Sequence, residues 1–168
     1  MILCGCWDRI EIEKNAFILG IGVDLGSDDT LEVTYQIALP QSMKGGEEGK
    51  NSGDSSTTLN VTIQGESLKV TEQILMSHID RFPNYDHLKA IIFGEELSRQ
   101  GLAEHIDFFF RNPQARRLTK AVVCEGTAKD ILAIQPKTTK STAQYIDSLL
   151  ENNNKHTIYK YWISHLMI

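Results

Sequence analysis

Two stretches near the amino terminus alternate apolar and polar residues with a period of two, and this pattern constrains the fold most strongly. Apolar side chains stand at every second position over residues 17–25 and again over residues 31–39. Such a period is typical of β-strands that bury one face against a core. The polar residues 26–29 separate the two stretches, so the sequence predicts an antiparallel β-hairpin.

After the hairpin, predicted strands and helices alternate along the chain. Further strands are predicted over residues 59–64, 88–93 and 118–125. Helical spacing of apolar residues predicts helices from the Ser67 cap to Pro83, and over residues 98–111, 127–134 and 141–151. Strand–helix–strand units imply some parallel pairing. We therefore expect an α+β fold, a mixed β-sheet of about five strands with helices packed on it.

One internal segment departs from this pattern. Residues 41–57 are rich in Gly, Ser, Glu and Lys and contain almost no apolar side chains. Burial cannot offset the entropy lost on ordering such a segment, so we expect a flexible loop.

Charge and hydropathy exclude some function classes. The 17 basic and 22 acidic residues give a net charge of −5, whereas nucleic-acid binders usually carry a basic face. The same charge argues against adsorption to anionic lipid. No stretch approaches the roughly 20 apolar residues that a membrane-spanning helix needs.

The three cysteines do not form a disulfide framework, because they are odd in number and unevenly placed. Cys124 lies in an apolar run and is interpreted as a buried small hydrophobe. Residues 3–6 (LCGC) resemble a bacterial lipobox, in which a small residue precedes the cysteine that receives diacylglycerol. Cys6 would be the modified residue. The alternative is a chance pair of terminal cysteines.

Other candidate sites have simpler explanations. Gly20 and Gly22 lack the spacing of a dinucleotide loop and are expected to allow close backbone approach within a sheet. Asp28 and Asp29 lack the ligand spacing of a calcium loop. The remaining candidates have no recognisable metal or catalytic spacing. They are the five histidines and the acidic residues 8, 11 and 13. The basic residues 111, 116, 117 and 120 form a patch that is interpreted first as a solvated face and second as a contact surface for a membrane-embedded partner.

The segment 95–97 (EEL), with Arg99 nearby, follows a predicted central strand. The carboxyl ends of such strands often carry functional sites. The segment is interpreted as a structural turn first and a functional surface second.

Several motifs resemble the Ger(x)C-type family of spore germination lipoproteins. Residues 6–12 (CWDRIEI) match the start of the mature family sequence, and residues 20–24 (GIGVD) match its first strand. The resemblance continues through residues 33–38 (VTYQIA), 93–102 (FGEELSRQGL), 107–113 (DFFFRNP) and 126–132 (GTAKDIL). It extends over about residues 6–151, with the motifs in the right order.

This resemblance implies a function and a division of the chain. The protein would be the lipid-anchored C subunit of a nutrient germinant receptor, held at Cys6 on the outer face of the spore inner membrane. Its partners would be the integral-membrane A and B subunits. Because the residues show no catalytic constellation, we expect the protein to act by protein–protein contact and membrane tethering and not as an enzyme, and we expect no cofactor or metal. Residues 1–15 would form a lipobox remnant and tether, residues 16–151 the N-terminal domain, and residues 152–168 a divergent tail.

Three alternatives stay open. Only five residues precede Cys6, which is too few for an export signal. We therefore expect either an upstream start or a truncated product, which could be a non-functional remnant. A lipoprotein that binds a small molecule would need convergent polar groups in a cleft. A secreted hydrolase would need a nucleophile, a base and an orienting group close together.

Overall fold

The computed structural model describes residues 14–39, 57–112 and 119–154. The strands within these ranges are β1 (Asn15–Leu25), β2 (Leu31–Ala38), β3 (Thr58–Gly65), β4 (Phe82–Asn84), β5 (Ala90–Phe93) and β6 (Lys120–Val123). The helices are α1 (Leu68–His78), α2 (Glu95–Gln100), α3 (Ala103–Arg111), α4 (Ala128–Ala133) and α5 (Thr142–Asn154).

The strands form one mixed sheet in the order β3-β2-β1-β5-β6, which confirms the expected fold class. β1 and β2 form the predicted antiparallel hairpin, and β3 pairs antiparallel with β2. β5 pairs parallel with β1, and β6 pairs parallel with β5. The carboxyl ends of β1, β5 and β6 therefore meet at one edge of the sheet.

Helices cover both faces of the sheet and give three layers. On one face, side chains of α1, α2 and α3 join the larger apolar core, including the buried Leu75, Leu97 and Phe109. On the other face, α4 and α5 pack through Leu132 and Ile146 in a second buried cluster. β1 lies in the middle of the sheet, and both α4 and α5 contact it.

The helix after Ser67 is shorter than predicted. Ser67 caps α1 as expected, because its hydroxyl accepts a hydrogen bond from the Val70 N–H. The helix ends at His78 and not at Pro83, and β4 follows it in parallel pairing with the start of β1. The prediction missed this strand. Proline disfavours helical backbone at the residue before it, so Phe82 is extended and available for pairing.

Two other helix boundaries also differ from the prediction. The single helix expected over residues 98–111 is two helices, α2 and α3, separated at Gly101, whose φ of 124° is available to glycine and strained for other residues. The asparagine run at residues 152–154 does not break the last helix, since α5 continues through Asn154. Most of the predicted loop (41–57), residues 1–13 and residues 155–168 lie outside the described residues.

Candidate functional site

A cleft of about 430 Å³ lies at the edge where β1, β5 and β6 end. Asp24, next to the last residue of β1, forms part of its floor. The segments that follow β5 and β6 supply the rest of the lining. The lining residues are Asp24, Leu25, Gly94, Glu95, Glu96, Arg99, Gly126 and Thr127.

Asp24 holds the amino end of α4. Only 6% of this residue is exposed. Its Oδ1 accepts the Ala128 N–H at 2.7 Å and its Oδ2 accepts the Lys129 N–H at 2.9 Å. A carboxylate is favourable at a helix amino terminus, where N–H groups have no partner within the helix. Burial raises the pKa of Asp24, and the two backbone hydrogen bonds oppose that shift.

Thr127 provides a second cap for the same helix. Its hydroxyl accepts the Asp130 N–H at 3.2 Å, as the sequence predicts. The first turn of α4 is therefore held by one cap from its own sequence and by one from a strand more than 100 residues earlier.

Gly94 lies between β1 and the start of α2, where its N–H donates to the Val23 carbonyl at 2.9 Å. A Cβ atom at this position would lie 2.1 Å from the Asp24 Oδ1. That separation is far below van der Waals contact, so Asp24 can occupy its position only because residue 94 has no side chain.

Glu95 ties the start of α2 to the segment after β6. Its N–H donates to the Gly126 carbonyl at 2.9 Å, and its Oε2 accepts the Gly126 N–H at 3.2 Å. Its Oε1 pairs with the exposed Arg99 guanidinium at 2.5 Å. The Arg99 hydrogen bond and the Gly126 N–H hold the pKa of Glu95 below its ordinary value. Residues 95–97 thus begin the helix α2. The prediction of a structural turn in place of a helix at this segment was wrong.

Cys124 is buried beneath the cleft, as predicted from its apolar neighbours, and is 0% exposed. Burial, followed by the nearby Asp24 charge, raises the pKa of its thiol to about 11. Because the thiolate is the nucleophilic form of cysteine, this thiol is unreactive near neutral pH.

The cleft residues are engaged with one another. Within the described ranges, every buried side-chain nitrogen or oxygen has a hydrogen-bond partner. No group of three or more His, Cys, Asp or Glu residues in those ranges could hold a metal ion. The groups that face outward are the Glu95–Arg99 ion pair and the exposed Glu96 and Thr127. Chemically, this arrangement offers a rigid polar surface.

The other predicted residues fall in different places. Cys6, the acidic residues 8, 11 and 13, and the basic residues 116 and 117 lie outside the described residues. Gly20 and Gly22 allow close approach as predicted, since a Cβ at Gly20 would lie 2.7 Å from the Ala143 Cβ. Asp28 and Asp29 form a short turn with φ of 54° and 55°. No helix in the described part of the chain could cross a bilayer.

Sequence reasoning missed the roles of Asp24 and Gly94. Both belong to motifs that carried the family resemblance, residues 20–24 and 93–102. A third such motif, residues 126–132, supplies Gly126, Thr127 and the start of α4. Three motifs distant in sequence therefore meet at this cleft, and their convergence was the available signal.

Comparison with known proteins agrees with these motifs. The family model described as "Spore germination protein N-terminal domain" matches residues 8–163. Spore germination protein B3 of Bacillus subtilis (strain 168) is 35% identical over 78% of this chain and 34% of its own length. Spore germination protein A3 of the same organism is 30% identical over 94% of this chain and 41% of its own length.

A more distant relative, spore germination protein KC of the same organism, is 26% identical over 90% of this chain and 38% of its own length. The chain thus spans about two fifths or less of the length of these relatives. No solved structure matches it significantly. Because the family model covers most of the chain, including every residue of the cleft, the protein belongs to the spore germination protein N-terminal domain family.

Proposed function

We propose that this protein is a lipid-anchored, non-enzymatic subunit of a spore nutrient germinant receptor. It would be tethered through Cys6 to the outer face of the spore inner membrane, where it acts in germination by contact with the integral-membrane A and B subunits. Membership of the spore germination family supports the role in germination. The lipobox-like residues 3–6 support the anchor.

The observation that carries the contact role is the convergence of three family motifs on the cleft between β1, β5 and β6. Two polar groups brace α2 and α4 against the sheet, the buried Asp24 and the partly exposed Glu95. This bracing fixes the positions of the outward-facing Glu96, Arg99 and Thr127. A surface held rigidly in the free protein loses little entropy on binding, which favours a role as a docking surface.

The non-enzymatic role is supported by the state of two described groups that could do chemistry, Cys124 and Asp24. A hydrolase needs an activated nucleophile with a base beside it. The Cys124 thiol is buried and has a raised pKa. Both Asp24 oxygens accept backbone N–H groups, so this carboxylate serves as a helix cap.

The contact surface can be tested by charge reversal in the full-length protein in spores. Glu96→Lys changes the charge at the cleft. Asp80→Lys is the matched control, because Asp80 is 90% exposed and follows α1, close to the strand that pairs with the start of β1. We expect Glu96→Lys to reduce co-purification of the A and B subunits from detergent-solubilised membranes about tenfold, a typical scale for a mispaired interface charge.

Asp80→Lys should leave the yield unchanged. Equal yields from both variants would show that the subunits bind elsewhere. If the unaltered protein recovers neither subunit, the receptor role itself is wrong.

The anchor is tested separately by mass spectrometry of the N-terminal peptide from spore membranes. We expect a diacylglycerol adduct on Cys6 that persists in Cys4→Ser. Cys6→Ser should release the protein into the soluble fraction, because it removes the thiol that would carry the two acyl chains of the diacylglycerol. A durable anchor needs two or more such chains. An unmodified Cys6 in membrane-bound protein would rule out the lipid tether.

A further inference from the structure

β3 forms one outer edge of the sheet. Among the described strands it pairs with β2 alone, antiparallel and without a register shift over all eight residues, Thr58–Gly65. At about 3.4 Å per residue, the strand presents an edge roughly 27 Å long. The backbone and side-chain groups along this edge determine what can lie beside it.

The backbone groups that face outward are those of the even-numbered residues of β3. The Leu39 N–H donates to the Thr57 carbonyl at 2.9 Å, in the same register as the β2–β3 ladder. Hydrogen-bonded and non-hydrogen-bonded pairs alternate in such a ladder, so the odd-numbered residues bond to β2. The N–H and C=O groups of Asn60, Thr62 and Gln64 therefore point away from the sheet. Within the described ranges they form no hydrogen bond.

This edge lacks the features that keep strand edges from pairing with other chains. Natural sheets use charged side chains, proline and β-bulges for this purpose. The sequence of β3, TLNVTIQG, contains no charged residue and no proline. Leu59 adds a large apolar side chain that is 47% exposed. Such an edge favours the addition of another strand.

The strand is complementary to itself about Thr62. When a second β3 lies antiparallel with Thr62 opposite its own copy, Asn60 lies opposite Gln64, and each pair of outward-facing residues can exchange two hydrogen bonds. Val61 then lies opposite Ile63, on the face of the sheet that α1 covers. Two β-branched side chains make a favourable cross-strand pair.

The ends of the strand match in the same register. Leu59 lies opposite Gly65, which has no side chain, so the exposed leucine has space beside the second copy. No charged residue of β3 opposes a like charge, because the strand contains none. The partner that this edge fits best is therefore its own sequence.

We infer that β3 pairs with β3 of a second copy of this chain, so that two sheets join into one about a twofold axis at Thr62. A twofold interface uses the same patch on both copies, which requires the self-complementarity that β3 shows. Across three layers of about 10 Å each, an edge of this length buries up to roughly 800 Å² per copy, the size of a standard stable interface.

This inference does not rest on the proposed receptor role. No residue of β3 lines the cleft, so each copy in the dimer keeps its cleft available to another partner.

Sedimentation velocity of the 168-residue chain tests for the dimer. We expect a reversible species of twice the 18.9 kDa chain mass, with a dissociation constant in the micromolar range, the weak end for an interface of this size. As the dimer forms, hydrogen exchange of the Asn60, Thr62 and Gln64 N–H groups, followed by NMR, should slow at least about tenfold, because these groups gain acceptors.

Charge variants at Thr62 locate the contact and its register. Thr62 is exposed, so a charged side chain there faces solvent in the single chain. Thr62→Lys and Thr62→Glu should each weaken the dimer at least about tenfold, because like charges would lie directly opposite one another. A mixture of the two variants should dimerise again, since opposite charges then meet.

Ala121→Lys is the matched control, because Ala121 is an exposed residue of β6, the strand at the other end of the sheet. β6 has only four residues and begins with Lys120. This variant should leave the dissociation constant unchanged. Circular dichroism reports whether each variant is folded.

Four results would overturn the inference. The first is a chain that stays monomeric at roughly 200 µM, well above the micromolar range. The second is slow exchange of the Asn60, Thr62 and Gln64 N–H groups already in dilute monomer, which would show that another segment of the chain covers the edge. The others are a mixture of Thr62 variants that does not dimerise and a dimer that Ala121→Lys weakens equally. None of these results bears on Cys6 or Glu96, so the proposed receptor role would stand or fall by its own experiments.

Discussion

At the scale of single residues, Asp24 connects the two layers that the sheet separates. It is the penultimate residue of the central strand β1, and its carboxylate caps a helix more than 100 residues later in the chain. The sequence shows an acidic residue after an apolar strand, which by itself indicates a turn or a solvated end. Its partners are backbone N–H groups, which carry no side-chain signature, so no reading of local sequence could have identified them.

Replacement of Asp24 should lower the stability of the domain in a graded way. Asp24→Ala leaves the Ala128 and Lys129 N–H groups without acceptors, and we expect a loss of about 2 kcal/mol in the free energy of unfolding. Asp24→Asn retains one acceptor oxygen and should lose less. Asp80→Ala, at an exposed aspartate, should change stability by less than about 0.5 kcal/mol. Urea unfolding monitored by circular dichroism measures all three, and equal effects at residues 24 and 80 would contradict the capping role.

The Cys124 thiol should be protected from alkylation in the folded protein. With its pKa raised to about 11, its thiolate fraction at pH 8 is about a hundredfold below that of a free cysteine, and burial limits access further. Iodoacetamide labelling, mapped to the Cys124 peptide by mass spectrometry, should be slower by at least this factor in buffer than in urea. Rapid labelling of the folded protein would show that this thiol is accessible.

The raised pKa of Cys124 also determines whether the stability of the fold rises or falls with pH. Because the folded-state pKa lies above the ordinary value of 9.0, the unfolded state loses this proton first as pH rises. The contribution of Cys124 to stability is therefore fully present below about pH 9 and is lost as pH rises towards 11. Cys124→Ala should remove this part of the alkaline destabilisation.

At the scale of elements, local sequence predicted β1, β2, β3, β5, β6, α1, α4 and α5 where their own pattern was strong. It failed at β4, whose three residues are too few to show a period. It also joined α2 to α3 in one helix over residues 98–111, because the apolar residues on one side of that helix all follow Gly101 and mark no break there. Glycine lowers helix propensity without forbidding a helix, so only the backbone conformation reveals the break.

Helix α5 packs on β1 at a distance that requires glycine in the strand. A Cβ at Gly20 would lie 2.7 Å from the Ala143 Cβ, so Gly20→Ala should destabilise the domain by about 1–3 kcal/mol through overpacking. Ala143→Gly alone should lose about 1 kcal/mol of helix propensity.

The double variant tests whether this contact is the cause. Combining Gly20→Ala with Ala143→Gly relieves the clash, so the double variant should be more stable than the sum of the single effects implies, by about 1 kcal/mol or more. Strictly additive losses in urea unfolding would mean that the penalty at Gly20 arises elsewhere.

At the scale of the whole molecule, β1 connects both cores. It pairs with β2, β4 and β5 and has helices packed on both faces. The alternation in residues 17–25 predicted the strand. Its position between the two cores follows only from the pairing of β1 with strands far along the chain. A domain organised around one strand should unfold as one cooperative unit even though its helices lie in two separate layers.

This cooperativity can be tested by weakening each core in turn. Leu75→Ala on the α1 face and Ile146→Ala on the α5 face remove fully buried side chains, and each should lower stability by about 3 kcal/mol. Met76→Ala is the control, since Met76 is 44% exposed.

Because Trp7 and Trp162 lie outside the described residues, hydrogen exchange followed by mass spectrometry is a better probe than tryptophan fluorescence. In either core variant, peptides from β1, α1 and α5 should lose protection at the same urea concentration. If protection is lost first on the mutated face while the other face is retained, the two layers are separate folding units joined by a strand, and the single-unit description is wrong.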